Sequence, residues 1–379
     1  MKPRLSLYFF GWPSYVGGAD TKLAHLLLLL HGHYDITVVP NTREQLGQAD
    51  WRAWLAGLGV RAALLEELPE KLSGWAVSLC NGAFWTDGIG PEARRRGLKV
   101  AWSSEMMWHH PGERMAAVWG MIDKVLYTSE VQRAALEAGY EGTAAAVGRA
   151  YSRAGEPSDG SRVRSPHQDR CGRYPNGIGW HIVGNYVAPE MFPWKDRTRE
   201  RRFEEFVIGR LSRPDPAKYP KDFPESYQRL GLQNARYRAM AWSKQLRGIH
   251  TAKRFEGTWD LLEARAETQV DFLHSLDLFV YDLREDCSEA WGRAVVEAML
   301  TGAVPLVPDH PRHHLRRIVP HGVGGFLCST NDDWREHAQR LQADGTLRKK
   351  MAKAAREFAV HELCNARKHR AAWREAFEG

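Results

Sequence analysis

Cysteine is scarce and scattered: Cys80, Cys171, Cys287, Cys328 and Cys364 include no Cys-x-x-Cys pair. That spacing argues against a zinc ribbon and a disulfide framework, and it predicts a reduced, cytoplasmic protein. Long apolar runs are missing as well. The longest aliphatic stretch, Leu26–Leu30, is far shorter than the roughly 20 residues that span a bilayer, so no integral membrane segment is expected. Lys2 and Arg4 run directly into the strand-like LSLYFF, which is not the pattern of a secretory signal. A Walker A loop is absent, and GVGG at Gly322–Gly325 completes no dinucleotide fingerprint behind a strand. Those absences argue against an NTPase and a dehydrogenase.

What is present is ample core material. The 379 residues are 43% hydrophobic and 26% charged, enough for two domains of ordinary size and too apolar for global disorder. The net charge of +7 favours an anionic partner, among which nucleotide-sugars, anionic lipids and nucleic acids all qualify.

Strand-like and helix-like segments alternate. Leu5–Phe10, YDITVV (34–39), Ala76–Leu79, Lys99–Trp102 and Lys124–Tyr127 read as strands. A helix capped by Asp20 or Thr21 follows the first, and Ser129 caps another over Val131–Ala138. Residues 141–180, rich in Arg, Ser, Gly and Pro without apolar period, are expected to form a mobile surface insertion. A second alternating series begins at Glu205: FVIGRLS, then strands suggested at MAWSKQ and HTAKRFEG, then LDLFVYD (276–282) and VPLVP. The expected division is a first domain 1–182, a linker 183–204, a second domain 205–362 and a C-terminal helix, 363–379, crossing back to the first. Two α/β domains of this kind would bind ligand in a cleft at the carboxyl ends of their strands.

The segment Ser288–Leu306, SEAWGRAVVEAMLTGAVPL, carries the most chemistry. Glu289 and Glu297 stand eight positions apart, about two helical turns, with Glu289 at or before the helix start. A helix start presents free N–H groups and a positive dipole end, a seat for phosphate. Two carboxylates beside it could hold sugar hydroxyls.

Five stations in order resemble a known family. Gly17-Gly18 follow the first strand; YTSEVQRAALEAGY (127–140) ends the first domain; VGNYVAPEMFPW (183–194) links the two; IGRLS (208–212) opens the second; and EAWGRAVVEAMLTGAVPLV (289–307) carries two acids with seven residues between them. Together they resemble a retaining glycosyltransferase of the GT-B fold, of the GT4-like group. The resemblance implies an α/β protein with two Rossmann-like parallel-sheet domains facing a central cleft. It implies a hexosyl transfer from a nucleotide-diphosphate sugar, UDP- or GDP-linked, by front-face attack, with no cofactor beyond that co-substrate. Glu289 would contact the sugar ring and Glu297 the nucleotide ribose, and His109 or His110 the transferred sugar. Departures are RPDPAKYPKDF in place of the usual Lys-Gly, Trp291 in place of Phe, and Arg317 in a loop where many members carry an acid.

The residues suit that chemistry. Arg210 can fork phosphate oxygens, Lys218 or Lys221 can add a point charge, and Gly17 and Gly18 let backbone amides approach closely. No Asp-x-Asp motif ends a strand, so no metal is expected to be required, and the histidines of HPRHH read as a basic loop. The acceptor stays open: a glycan, a lipid or a small molecule. A second reading is a nucleic-acid-binding protein on this scaffold, acting on modified bases in DNA, motivated by the net charge, the Arg-rich insertion and fifteen tryptophans. A sugar-binding protein without catalysis is a third.

Overall fold

A computed structural model of the chain describes residues 3–14, 18–109, 111–118, 120–137, 171–173, 177–195, 205–250, 253 and 255–379. It divides into two compact units, Met1–Tyr186 with Ala366–Gly379, and Val187–Asn365.

The first unit holds β1 (Ser6–Phe10), β2 (Asp35–Val39), β3 (Arg61–Ala62), β4 (Trp75–Leu79), β5 (Lys99–Ser103), β6 (Lys124–Tyr127), β7 (Cys171–Arg173) and β8 (Gly179–Ile182). They form one sheet in the order β3-β2-β1-β4-β5-β6-β8-β7, parallel except for β7 at the edge. Strands β1, β4 and β5 are buried over nearly their whole length because helices cover both faces, which is why they read as unbroken apolar runs. The last helix, Ala366–Glu378, belongs to this unit: Trp373 is fully buried against Phe9, and Phe377 stands edge-on to Trp75.

The end of the expected insertion 141–180 is sheet. Cys171–Arg173 pairs antiparallel with β8, Cys171 lying opposite His181, and Gly179 and Trp180 belong to β8 itself. The remainder of that segment, apart from 177–178, lies outside the described residues.

The second unit holds β9 (Phe206–Leu211), β10 (Ala235–Met240), β11 (Thr258–Leu262), β12 (Leu278–Val280), β13 (Val304–Pro308) and β14 (Phe326–Cys328), all parallel, in the order β11-β10-β9-β12-β13-β14. Both sheets thus share a Rossmann-like order, reversing between β1 and β4 and between β9 and β12. Ligands of such sheets sit at the carboxyl ends beside that reversal. The strand expected across MAWSKQ is corrected: β10 ends at Met240, and Ser243 caps the helix Lys244–Ile249, its Oγ accepting from the Leu246 amide at 3.2 Å. In HTAKRFEG no described residue is strand, and β11 starts at Thr258.

Candidate functional site

The best-furnished reversal point is in the second unit. Strand β9 delivers Arg210 at its carboxyl end, and β12 leads into Tyr281 and Asp282. Gly209 makes room for this: a Cβ there would stand 2.4 Å from the Arg238 carbonyl oxygen of the neighbouring strand. Beyond β12 the chain turns through Glu289 to Gly292, which caps the helix Arg293–Thr301. Gly292 has φ +88°, and a Cβ there would fall 2.4 Å from Leu315, so both its backbone angle and its surroundings demand glycine.

Glu289 is the hub. Its Oε2 accepts from Lys218 Nζ at 2.7 Å and from the Tyr281 hydroxyl at 2.8 Å, and its Oε1 accepts from the Gly292 amide at 3.3 Å. Its own amide donates to His313 Nδ1 at 3.2 Å, and its carbonyl accepts from the His314 amide at 3.0 Å. Burial works against the carboxylate, but Lys218 and the hydrogen bonds outweigh it and hold Glu289 below the ordinary carboxylate range. Burial likewise works against the Lys218 ammonium, and Glu289 more than offsets it, raising that pKa. His313 is pushed down to about 4, chiefly by burial, so its imidazole is neutral and free to accept at Nδ1.

Arg210 is placed differently from expectation. Its side chain is wholly buried, one terminal nitrogen donating to the Asp282 carbonyl at 2.9 Å and the other to the Lys218 carbonyl. The guanidinium lies 4.0 Å from the centre of the Tyr219 ring. In this arrangement it braces the Lys218 loop and has no open face to offer a phosphate. The fork expected on the donor is therefore corrected to a fork on two backbone carbonyls.

Glu297 sits deeper. The helix starts at Arg293, so Glu297 is one turn inside it rather than two, because Glu289–Gly292 is not helix and Glu289 instead bridges to His313. It is nearly fully buried; Arg293 Nε donates to it at 3.0 Å and the Gln269 amide donates to its other oxygen. Burial outweighs both and raises its pKa to about 7. Of the two lysines, Lys218 reaches Glu289, whereas Lys221 is exposed and its carbonyl accepts from Lys253.

In the first unit, His109 is buried with its ring stacked on Trp102 at 5.1 Å and its Nε2 on the Leu136 carbonyl at 3.1 Å. It anchors a loop and is not open to solvent. Gly18 opens the helix Gly18–Leu30. Gly17 and His110 lie outside the described residues. Tyr281 and His313 were not singled out from sequence as partners of Glu289; the available signal for Tyr281 was its place just past a buried strand. Among the described residues no three His, Cys, Asp or Glu side chains stand ready to share a metal ion, and no helix is long and apolar enough to cross a membrane.

Known proteins agree with this frame. Residues 241–358, which include Tyr281, Glu289, Glu297 and His313, match the family model of glycosyl transferases group 1. No curated protein matches the chain in sequence. Among solved structures, HepE of Anabaena with UDP-glucose superposes with a TM-score of 0.66 at 12% identity, over 98% of this chain and 99% of its own. Sucrose-phosphate synthase of Thermosynechococcus elongatus gives 0.61 at 13%, over 99% and 100%. A glycosyltransferase of Rickettsia africae gives 0.59 at 9%, over 99% of each chain. The chain has the GT-B fold, and the part of it that holds the two glutamates matches the model of glycosyl transferases group 1.

Proposed function

We propose that this protein is a retaining glycosyltransferase that moves a sugar from a UDP-linked donor to a hydroxyl acceptor without needing a metal ion. The observation that carries the reading is the cluster of Lys218, Tyr281 and Glu289 at the mouth of the helix Arg293–Thr301. A diphosphate seated at that helix start meets the positive dipole end and the Lys218 ammonium. Glu289, ionised and firmly oriented, is an acceptor for sugar hydroxyls. The choice of UDP rests on HepE, which has been crystallised with UDP and UDP-glucose.

In the reaction the bond between the anomeric carbon and the phosphate oxygen breaks as the acceptor oxygen bonds to the same face. The acceptor proton passes to the departing phosphate oxygen, so no base from the protein is consumed. The protein's part is to hold developing charge on the phosphate, usually the dominant source of rate enhancement when a charged group departs. Glu289 keeps the ring in register with that charge.

The test is calorimetry with UDP, GDP, ADP and dTDP, followed by turnover of the matching sugar donors in excess EDTA. The expected result is UDP binding, turnover that persists in EDTA, and a product of unchanged anomeric configuration. Binding of none of the four nucleotides refutes the reading; activity lost in EDTA and restored by Mn2+ refutes its metal-free part; an inverted product refutes front-face attack. The tryptophans that motivated a nucleic-acid reading lend it little. Trp12, Trp75, Trp102, Trp180, Trp242, Trp291 and Trp373 are buried in the cores and unavailable for stacking on bases.

A further inference from the structure

The first unit carries a polar constellation that donor chemistry does not use. Lys22, in the helix Gly18–Leu30, is completely buried, and its ammonium donates to Ser103 Oγ at 3.2 Å and to the Glu105 carboxylate. Glu105 lies just past β5, at the carboxyl end of the sheet, and its other oxygen accepts from Asn185 Nδ2 at 2.5 Å. A buried ammonium demands a counter-charge. Glu105 supplies it while keeping 14% of its own side chain open.

The loop leaving Glu105 is clamped at both ends. Gln132, wholly buried, donates through Nε2 to the Ser104 carbonyl at 2.7 Å and to the Met106 carbonyl at 2.9 Å. Its oxygen is fixed in turn by the Thr128 amide at 2.8 Å. His109 closes the far end against Trp102 and Leu136. Between these anchors Trp108 is 48% exposed. The indole is thus half exposed on a braced loop, three residues along the chain from an oriented carboxylate.

We propose that Glu105 and Trp108 form the acceptor subsite and that the acceptor is a carbohydrate. The indole face takes the apolar C–H face of a sugar ring, and the carboxylate accepts from its hydroxyls, a charge-assisted contact that fixes which hydroxyl is presented. Lys22 and Asn185 act through Glu105, as positioning residues. A phosphodiester acceptor fits poorly here, because it would meet a fixed negative charge while the Lys22 ammonium has no exposed surface to offer it. The assignment rests on the donor reading above, and the experiment keeps the two apart.

The full-length protein is assayed with UDP-glucose as donor and an array of methyl glycosides and short oligosaccharides as acceptors. UDP affinity is measured separately by calorimetry. Trp108→Ala, at an exposed position, is expected to raise the acceptor KM at least tenfold while UDP affinity stays within twofold, and Trp108→Tyr is expected to restore most of the loss. The double variant Lys22→Met with Glu105→Gln, which leaves neither charge alone, is expected to raise the same KM. An acceptor KM unmoved by Trp108→Ala overturns the subsite. Transfer confined to a polynucleotide or lipid, with no glycan accepted, overturns the carbohydrate assignment. A wild-type protein that binds no UDP defeats the donor reading instead. Glycan binding to the array without donor then decides the subsite: capture abolished by Trp108→Ala upholds it, and no capture overturns it.

Discussion

Removing the Lys218 ammonium probes the proposed donor site most sharply. Its Nζ lies 2.7 Å from Glu289 Oε2, and each side chain is only 12% exposed. At that distance, with an effective dielectric of about 20, the attraction is about 6 kcal/mol. Burying each ion costs several kcal/mol, roughly cancelling it. The intact pair therefore adds little net stability, while the loss of one member leaves a buried charge alone. Lys218→Met is expected to cost about 3–5 kcal/mol. Glu289→Gln, which strands the ammonium, is expected to cost a similar amount, and the double variant should recover much of it, with a coupling energy of about 2–3 kcal/mol. Urea denaturation at pH 7 of all four proteins measures this. Costs that add to within about 0.5 kcal/mol would refute the pairing. The same proteins separate stability from donor chemistry. Lys218→Met should weaken UDP binding by about 2–5 kcal/mol. Glu289→Gln should bind UDP nearly as before and fail in transfer, because UDP carries no sugar hydroxyl for it to meet. Equal losses of UDP affinity in both would place Glu289 on the nucleotide and not the sugar.

Glu297 supplies a pH test. Its folded pKa, about 7, lies above the ordinary 4.5, so the folded chain keeps a proton that the unfolded chain releases. That contribution is full below about pH 4.5 and is lost as pH rises through 7, about 3 kcal/mol in all. Glu297→Gln should flatten the decline in stability between pH 5 and 7, and identical slopes in the two proteins would count against it. For Arg210, loss of the guanidinium in Arg210→Met leaves two carbonyls short of a donor, a cost of at least about 2–3 kcal/mol, and should weaken UDP binding by releasing the Lys218 loop. Wild-type stability combined with lost UDP binding would restore the direct phosphate contact that the sequence suggests.

Strands such as β1, β4, β12 and β13 were legible because both sheets are covered on two faces, so each is a nearly uninterrupted apolar run bounded by turn residues. The pairs at the edges were not. Strand β3 is two residues long, and β7, Cys-Gly-Arg, has no apolar period; it is strand because β8 offers it a free edge. At MAWSKQ the apolar Met240–Trp242 suggested a strand carrying on to Gln245, whereas the Ser243 hydroxyl captures an amide and starts a helix there. Local chemistry at one cap overrode the period.

Site residues were legible by type and not by exposure. Glu289 and Lys218 could be named from sequence, yet their partnership joins positions 71 residues apart, and only the fold brings Lys218 rather than Lys221 to the carboxylate. Arg210 reads as a phosphate ligand because it sits in IGRLS and its guanidinium can fork two phosphate oxygens. Nothing local says that Tyr219 and two carbonyls enclose it. Lys22 left the plainest signal. In GADTKLAHLLLLL it stands on the stripe of Leu26, Leu29 and Leu30, at i+4, i+7 and i+8, and all of these are buried. A lysine on the apolar face of a helix can remain charged only if a counter-charge waits in the core. The sequence thus announces that a carboxylate must exist. The sheet decides that it is Glu105, 83 residues on, because β5 ends beside that helix and sets the carboxylate down there.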